Sequence, residues 1–279
     1  MAKVVLIIGA SKGIGLEIAQ VLHKNGAIVY GTSRNPQQAQ LGTIEFLPLD
    51  VTNEHSIQRA IEHVIQKSGR IDVVINNAGY DLYGASEDTT LEELSAQMDT
   101  NFIGIVRVIQ AVLPIMRLQN GGKIINISSI GGLVALPFNS AYSASKFALE
   151  GYSESLRYEV LPFNIFISLV EPGQVITDTL ATSIRSTQYS TTYSAEQIAQ
   201  RAREQGKKAS LTPNQIAQTI NTIIQANHPR LRYYVGAQTR IVTLLSRMMP
   251  QRLFERFIMS QFVNPLLTQP PSQPAKVAN

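Results

Sequence analysis

Cysteine and tryptophan are both absent from this 279-residue chain. Without cysteine there is no disulfide, no thiolate nucleophile and no thiolate metal ligand. The composition fits a reducing compartment, so a cytoplasmic location is expected. Histidine is scarce: His23, His55, His63 and His228 are scattered. They form no cluster of the three or four ligands that a zinc site needs, so no metal is expected. No uninterrupted apolar run approaches bilayer-spanning length. The first apolar run, Val4 to Ile8, stops at Gly9 after five residues and has no small-residue cleavage pattern behind it. It reads as a buried first strand and not as a signal peptide, and the chain is expected to be soluble.

The net charge of +4 is unevenly spread: residues 201–256 hold ten Lys/Arg against only two acids, Glu204 and Glu255. This basic excess is diffuse and no aromatic stacking platform accompanies it, which argues against a nucleic-acid partner.

Short Val/Ile-rich runs at 3–8, 27–31, 44–48, 71–75, 122–128, 163–169 and 231–235 alternate with helix-like segments near 13–25, 53–67, 90–118, 139–161 and 213–226. The strand runs are nearly continuous in apolar residues, as strands buried on both faces are. The pattern predicts an α/β fold: a single three-layer domain with a doubly wound parallel sheet of about seven strands and helices on both faces. That domain should span 1–264, with residues 265–279 and their four prolines forming a loose tail.

Directly after the first strand stands Gly9-Ala10-Ser11-Lys12-Gly13-Ile14-Gly15, then an amphipathic run. A glycine-rich turn opening a helix lets backbone N–H groups approach a pyrophosphate, and the helix N-terminus favours its charge. The spacing is G-x-x-x-G-x-G and not the common G-x-G-x-x-G, so an ordinary strand-to-helix turn is the competing reading. The second strand ends in Ser33-Arg34, where an NAD-preferring fold usually carries an acid for the ribose 2′-hydroxyl. A guanidinium suits a 2′-phosphate, and Lys12 offers a second positive charge, so NADP(H) is the expected cofactor.

After the fifth strand the chain runs Asn126-Ile127-Ser128-Ser129, and thirteen residues beyond Ser129 stands Tyr142, followed by Lys146. Residues i and i+4 share a helix face, which brings a phenol and an ammonium to one site. A free phenol, with a pKa of about 10, is a poor base at neutral pH, and a neighbouring cation favours its phenolate. A phenol tuned in this way can serve carbonyl/alcohol exchange in both directions. A Tyr-x-x-x-Lys pair is weak by itself.

Together with Asp50, Asn76-Asn77-Ala78-Gly79, Asn101 and Pro172-Gly173 with Thr177, these pieces resemble, in order and spacing, the short-chain dehydrogenases/reductases over roughly residues 3–235. The resemblance implies a Rossmann-type domain and assigns roles. Tyr142 is the acid/base. Lys146 holds the nicotinamide ribose and lowers the Tyr142 pKa. Ser129, chosen over Ser128 for its spacing to Tyr142, orients the substrate oxygen, and Asn101 holds a water linking Lys146 to solvent. Gly9, Ser11, Lys12, Gly13, Ile14, Gly15, Ser33 and Arg34 would contact the dinucleotide at its phosphates. Asp50 and Val51 would frame the adenine, Asn77, Ala78 and Gly79 would lie along the ribose, and Pro172, Gly173, Val175 and Thr177 would meet the nicotinamide end. The family implies a homodimer or homotetramer, with the 139–161 helix near an interface. A protein that binds NADP(H) for regulation without turnover is the alternative; an intact Asn101, Ser129, Tyr142 and Lys146 favours the enzyme.

Residues 174–210, rich in Ser, Thr, Gln and Tyr, would form a lid over the substrate. In the extension at 238–262, Ile241, Leu244, Leu245 and Met248 share one helical face, Pro250 breaks the helix, and Leu253, Phe254, Phe257 and Ile258 share another, with Arg240, Arg247, Arg252 and Arg256 interspersed. Either these faces cap the cleft or meet a partner subunit, or they make a weak peripheral contact with a membrane. This extension, and the run from Tyr142 to Tyr158, resemble the hydroxysteroid and retinol dehydrogenase-like branch, which implies a hydrophobic carbonyl or alcohol substrate.

Overall fold

The structure, a computed structural model, describes residues 1–38, 42, 44–175, 184–185 and 211–267. Seven parallel strands form the main sheet: β1 (Val4–Ile8), β2 (Ile28–Ser33), β3 (Glu45–Pro48), β4 (Val73–Asn76), β6 (Gly122–Ile127), β7 (Ile165–Pro172) and β9 (Arg232–Val235). Their order is β3-β2-β1-β4-β6-β7-β9, so the winding direction reverses between β1 and β4. In an open α/β sheet, ligands bind in the crevice at the carboxyl ends of the strands where that reversal occurs.

Alternating side chains of β1 explain why it reads as one apolar run. Val4, Leu6 and Ile8 belong to one buried cluster, with Ile105, Ile109 and Leu149, and Val5 and Ile7 belong to a second, with Ile18, Leu22, Ile216 and Ile220. The first cluster is covered by α2 (Glu54–Ser68), α4 (Gly104–Leu118) and α5 (Ser140–Val160), and the second by α1 (Gly13–Lys24) and α6 (Pro213–Gln225). Local chemistry sets the helix ends. Asn53 caps α2 by accepting from the Ser56 N–H at 3.0 Å, and Gly69 closes the same helix at φ +71°. Thr212 and Gln215 form a capping box on α6, with Pro213 in its first turn.

Four departures from the sequence expectation bear on the site. The 90–118 segment is not one α-helix: α3 (Leu91–Met98) passes through a π-helical stretch, Asp99–Ile103, into α4. By length and apolarity 91–118 matches a membrane-crossing helix, yet Ile105, Val108, Ile109, Val112 and Met116 are packed into the core. The strand expected at 163–169 starts later, because Asn164 adopts a left-handed conformation (φ +56°) after the turn Leu161–Phe163, and it runs on to Pro172. A two-residue strand, β5 (Leu82–Tyr83), pairs in parallel with β8 (Ile184–Arg185), outside the main sheet. Finally, the expected loose tail does not start at 265: residues 264–267 are helical, and Leu266 is buried. Residues 268–279 and most of the expected lid lie outside the described residues.

Candidate active site

A cavity of about 1500 Å³ opens at the carboxyl ends of β1 and β4. It exceeds the space that one small ligand occupies, and suits a dinucleotide with a substrate beside it. Ser11, Lys12, Gly13, Ser33, Arg34 and Asp50 line one end, and Ser129, Tyr142 and Lys146 the other. Gly9, Ile14, Val51, Asn77, Ala78, Gly79, Pro172, Gly173 and Val175 also face it. Among the described residues, two expected site residues, Asn101 and Gly15, do not. Thr177 lies outside the described residues. Gly15 is buried, and a side chain there would overlap the Gly9 carbonyl oxygen and reach to 2.6 Å from Asn77 Nδ2, so it serves close packing of the turn.

The turn itself is braced. The Gly9 N–H donates to Thr32 Oγ1 at 3.1 Å, Ala10 N–H donates to the Thr32 carbonyl at 2.8 Å, and Asn77 Nδ2 donates to the Gly9 carbonyl at 2.6 Å. Gly13, at φ +56°, begins α1, whose first turn has no acid and whose N-cap residue, Lys12, makes no side-chain cap. This cradle fits a dinucleotide pyrophosphate. Further along, Asp50 Oδ1 accepts from Thr52 N at 2.9 Å and Thr52 Oγ1 at 2.8 Å. Against the upward push of partial burial, these bonds and the nearby Arg34 hold the Asp50 carboxyl below its ordinary range.

At the other end, a buried polar chain fixes α5 against the sheet: Asn76 Nδ2 donates to Asn126 Oδ1 at 2.8 Å, and Asn126 Nδ2 to Ser153 Oγ at 2.9 Å. A second anchor joins Arg232 to Glu150 on α5, to Glu154 at 2.8 Å and to Glu171 on β7 at 3.2 Å. Burial, and then the neighbouring Glu150, push the Glu171 carboxyl up to about 8.

These anchors aim Tyr142 and Lys146 into the cavity. Ser129 Oγ accepts from the Gly131 N–H at 3.0 Å and hydrogen-bonds the Tyr142 phenol. Ser128 also borders the cavity, but it is only 3% exposed and its hydroxyl lies against Gly132. Gly131 and Gly132 allow this approach: a Cβ on the first would sit 3.1 Å from the Tyr142 ring, and on the second 3.1 Å from Lys146 Cβ. Lys146 Nζ donates to the Ile127 carbonyl at 2.8 Å and lies 5.7 Å from the Tyr142 ring centroid. Burial lowers its pKa to about 8, with Asp81 and Glu150 acting in the opposite direction.

The Tyr142 phenol departs from the lowered pKa that the resemblance implied. Burial raises it well above its ordinary value, the negative field of Asp81 adds to that, and the Ser129 hydrogen bond works against both. The ammonium of Lys146 is here engaged by a carbonyl, and Asp81 dominates the electrostatics of the phenol. Asn101, fully buried in the π-helical stretch, spends its side chain on protein groups: Oδ1 accepts from the Tyr80 N–H at 3.1 Å, and Nδ2 donates to the Tyr80 carbonyl at 2.9 Å and Ser145 Oγ at 3.3 Å. Sequence reasoning missed Asp81, Gly131, Gly132 and Asn139. No motif spacing marks an acid two residues past Gly79, and its nearness to Tyr142 is set only by the fold.

With this geometry in hand, residues 3–188 match the family model described as short chain dehydrogenase. The chain belongs to the short-chain dehydrogenase family. It is 54% identical over 171 residues to a 3-ketodihydrosphingosine reductase of Bacteroides thetaiotaomicron, an alignment covering 61% of this chain and 63%, under two thirds, of that protein. It is 37% identical over 265 residues to retinol dehydrogenase 8 of Homo sapiens, covering 87% and 84% of the two chains. Among solved structures, a short-chain dehydrogenase from Streptomyces avermitilis superimposes with a TM-score of 0.79 at 31% identity, covering 94% of this chain and 96% of that one. The family binds a nicotinamide cofactor and acts on a small molecule, which fits the two ends of the cavity.

Proposed function

We propose that this chain is an NADP(H)-dependent oxidoreductase that interconverts a hydrophobic ketone or aldehyde and its alcohol, with Tyr142 as acid/base. The observation that carries this reading is the convergence of Ser129, Tyr142 and Lys146 at one end of a cavity whose other end is the glycine turn with Lys12 and Arg34. The dinucleotide, when bound, supplies or accepts the hydride. In reduction, Ser129 and Tyr142 hydrogen-bond the substrate oxygen, and Tyr142 delivers its phenolic proton to that oxygen as the carbonyl carbon is reduced. In oxidation the phenolate takes the hydroxyl proton. Lys146 supports the negative phenolate electrostatically. Lys12 and Arg34 are exposed cations on the cavity wall, the chemistry that a ribose 2′-phosphate calls for.

An apolar substrate follows from the extension. Val242, Phe257, Ile258, Phe262 and Leu266 line the cavity from α7 (Ala237–Met248), α8 (Gln251–Ile258) and the helical residues 259–267 beyond. The name of the Bacteroides relative agrees with a long-chain ketone. The outer face of the same helices leaves Ile241, Leu244, Met248 and Leu253 exposed among Arg240, Arg247 and Arg252, and this face makes a weak contact with an anionic membrane surface. The enzyme works in the cytoplasm as a homodimer or homotetramer, for which exposed Phe147 and Tyr158 on α5 and Leu118 on α4 offer apolar contacts.

The test is cofactor choice, followed by absorbance at 340 nm with a long-chain ketone. Wild type is expected to favour NADPH over NADH by about 10–100-fold in kcat/KM, and Arg34→Asp to remove most of that preference. Equal use of both cofactors by wild type would refute the assignment of Lys12 and Arg34.

A further inference from the structure

Asp81 stands where no catalytic role requires a carboxylate. It lines the cavity beside Ser129, Tyr142 and Tyr83, and its carboxylate accepts the hydrogen bond of the Tyr142 phenol. Its backbone is held on both sides. Before it, Tyr80 is fixed by the two Asn101 bonds and by Gln97 Nε2, which donates to the Tyr80 carbonyl at 2.6 Å. After it, buried Asn139 at the N-terminus of α5 donates from Nδ2 to the Leu82 carbonyl at 3.0 Å, and the Gly84 N–H donates to the Phe138 carbonyl at 3.0 Å. A carboxylate clamped between two fixed points is preorganised and has little freedom to turn to solvent.

Its hydrogen-bond account changes when substrate arrives. The Tyr142 proton must then be given to the substrate oxygen, and Asp81 loses the donor it holds in the free enzyme. A partly buried carboxylate left without a donor is costly, whereas one matched by a cation is stabilised. Burial pushes the Asp81 carboxyl up, and the charge of Lys146, which also donates to the Ile127 carbonyl, works against that rise. A cationic donor on the substrate, within a bond or two of the carbonyl that Tyr142 addresses, restores the bond that Asp81 loses and balances its charge.

We infer that Asp81 is a specificity-determining residue that binds an ammonium group on the carbon next to the reacting carbonyl, so that the substrate class is a long-chain α-amino ketone or the matching amino alcohol. This inference rests on the carbonyl/alcohol reading above. It assigns the two halves of the substrate to two surfaces: the polar head to Asp81, Ser129 and Tyr142, and the alkyl chain to the apolar lining of α7 and α8. Ion pairing with the ammonium also offsets the negative field that adds to burial in raising Tyr142, so the cationic substrate eases formation of the phenolate.

The experiment compares a 2-ammonio-3-alkanone with the 3-alkanone of equal chain length, using NADPH. Wild type is expected to prefer the ammonium ketone by about tenfold or more in kcat/KM, chiefly through KM, and Asp81→Asn to bring the ratio of the two substrates close to one. The ratio within each protein is the readout, because Asp81 also touches Tyr142 and its replacement alters absolute rates. A second readout needs neither turnover nor the variant: by calorimetry, a long-chain primary ammonium salt should bind wild type more tightly than the alcohol of equal length. A wild-type ratio near one, a preference that survives in Asp81→Asn, or equal binding of ammonium and alcohol would each overturn the role of Asp81. Absence of turnover with either ketone, while the ammonium still binds through Asp81, would instead overturn the carbonyl-reducing reading.

Discussion

Helices α6 and α8 both carry an apolar stripe, and the fold treats them in opposite ways. On α6, Ile216, Ala217, Ile220 and Ile223 are fully buried against the sheet and α1. On α8 no residue is buried, and Leu253 and Phe257 remain 47% and 37% exposed. The stripe on α6 stabilises the fold, whereas the stripes on α7 and α8 are divided between the cavity mouth and solvent. Helical periodicity tells where an apolar face is, and not what covers it. The same contrast holds for the two ends of the cavity: the glycine turn is fixed by packing that leaves no room for a side chain at Gly9 or Gly15, and the other end is open and shaped by a surface extension.

The strongest attack on this contrast is Gly15→Ala. The new methyl would overlap the Gly9 carbonyl, so urea denaturation should show a loss above about 3 kcal/mol, or no folded protein at all. Next comes Ile220→Ala, which should cost about 2–5 kcal/mol, against a change within about 0.5 kcal/mol for Leu244→Ala on the exposed face of α7. Equal losses at the two positions would mean that α7 is packed as tightly as α6.

A smaller effect is expected behind the site. The folded pKa of Glu171, about 8, lies above the unfolded carboxylate value, so between the two the native state keeps a proton that the unfolded chain has lost. Stability should therefore fall as pH rises from about 4.5 to about 8, by on the order of 1–3 kcal/mol from this group. Melting temperatures of Glu171→Gln should lack that decline, and a parallel decline in both proteins would contradict the protonation assigned to Glu171. Smallest in stability, yet visible in binding, is the triple change of Leu244, Met248 and Leu253 to Ser. It should leave the melting temperature within about 3 °C, and weaken sedimentation with anionic vesicles. Unchanged vesicle binding would remove the membrane contact from the account.

Much of the fold is legible in the sequence because its signals are local. The all-apolar run Val4 to Ile8, the glycines of 9–15 and the Thr212/Gln215 cap each act within a few residues, and Tyr142 and Lys146 share a face by helix geometry alone. What the sequence hid depends on contacts between distant residues. Asp81 meets Tyr142 across 61 positions, and the Asn101 bonds that hold Tyr80 cross 21. The π-helical stretch that carries Asn101 differs from an α-helix in that its backbone hydrogen bonds span one residue more, which leaves no mark in composition. The extent of the apolar stripes was visible, but their division between cavity and solvent was not.

The central claim is that Tyr142 exchanges the proton with the substrate oxygen, and its most direct test is the single-turnover rate of Tyr142→Phe with bound NADPH and a long-chain ketone. The rate should fall by about 10²–10⁴-fold while NADPH fluorescence shows the cofactor still bound. A rate within a few-fold of wild type would contradict the claim.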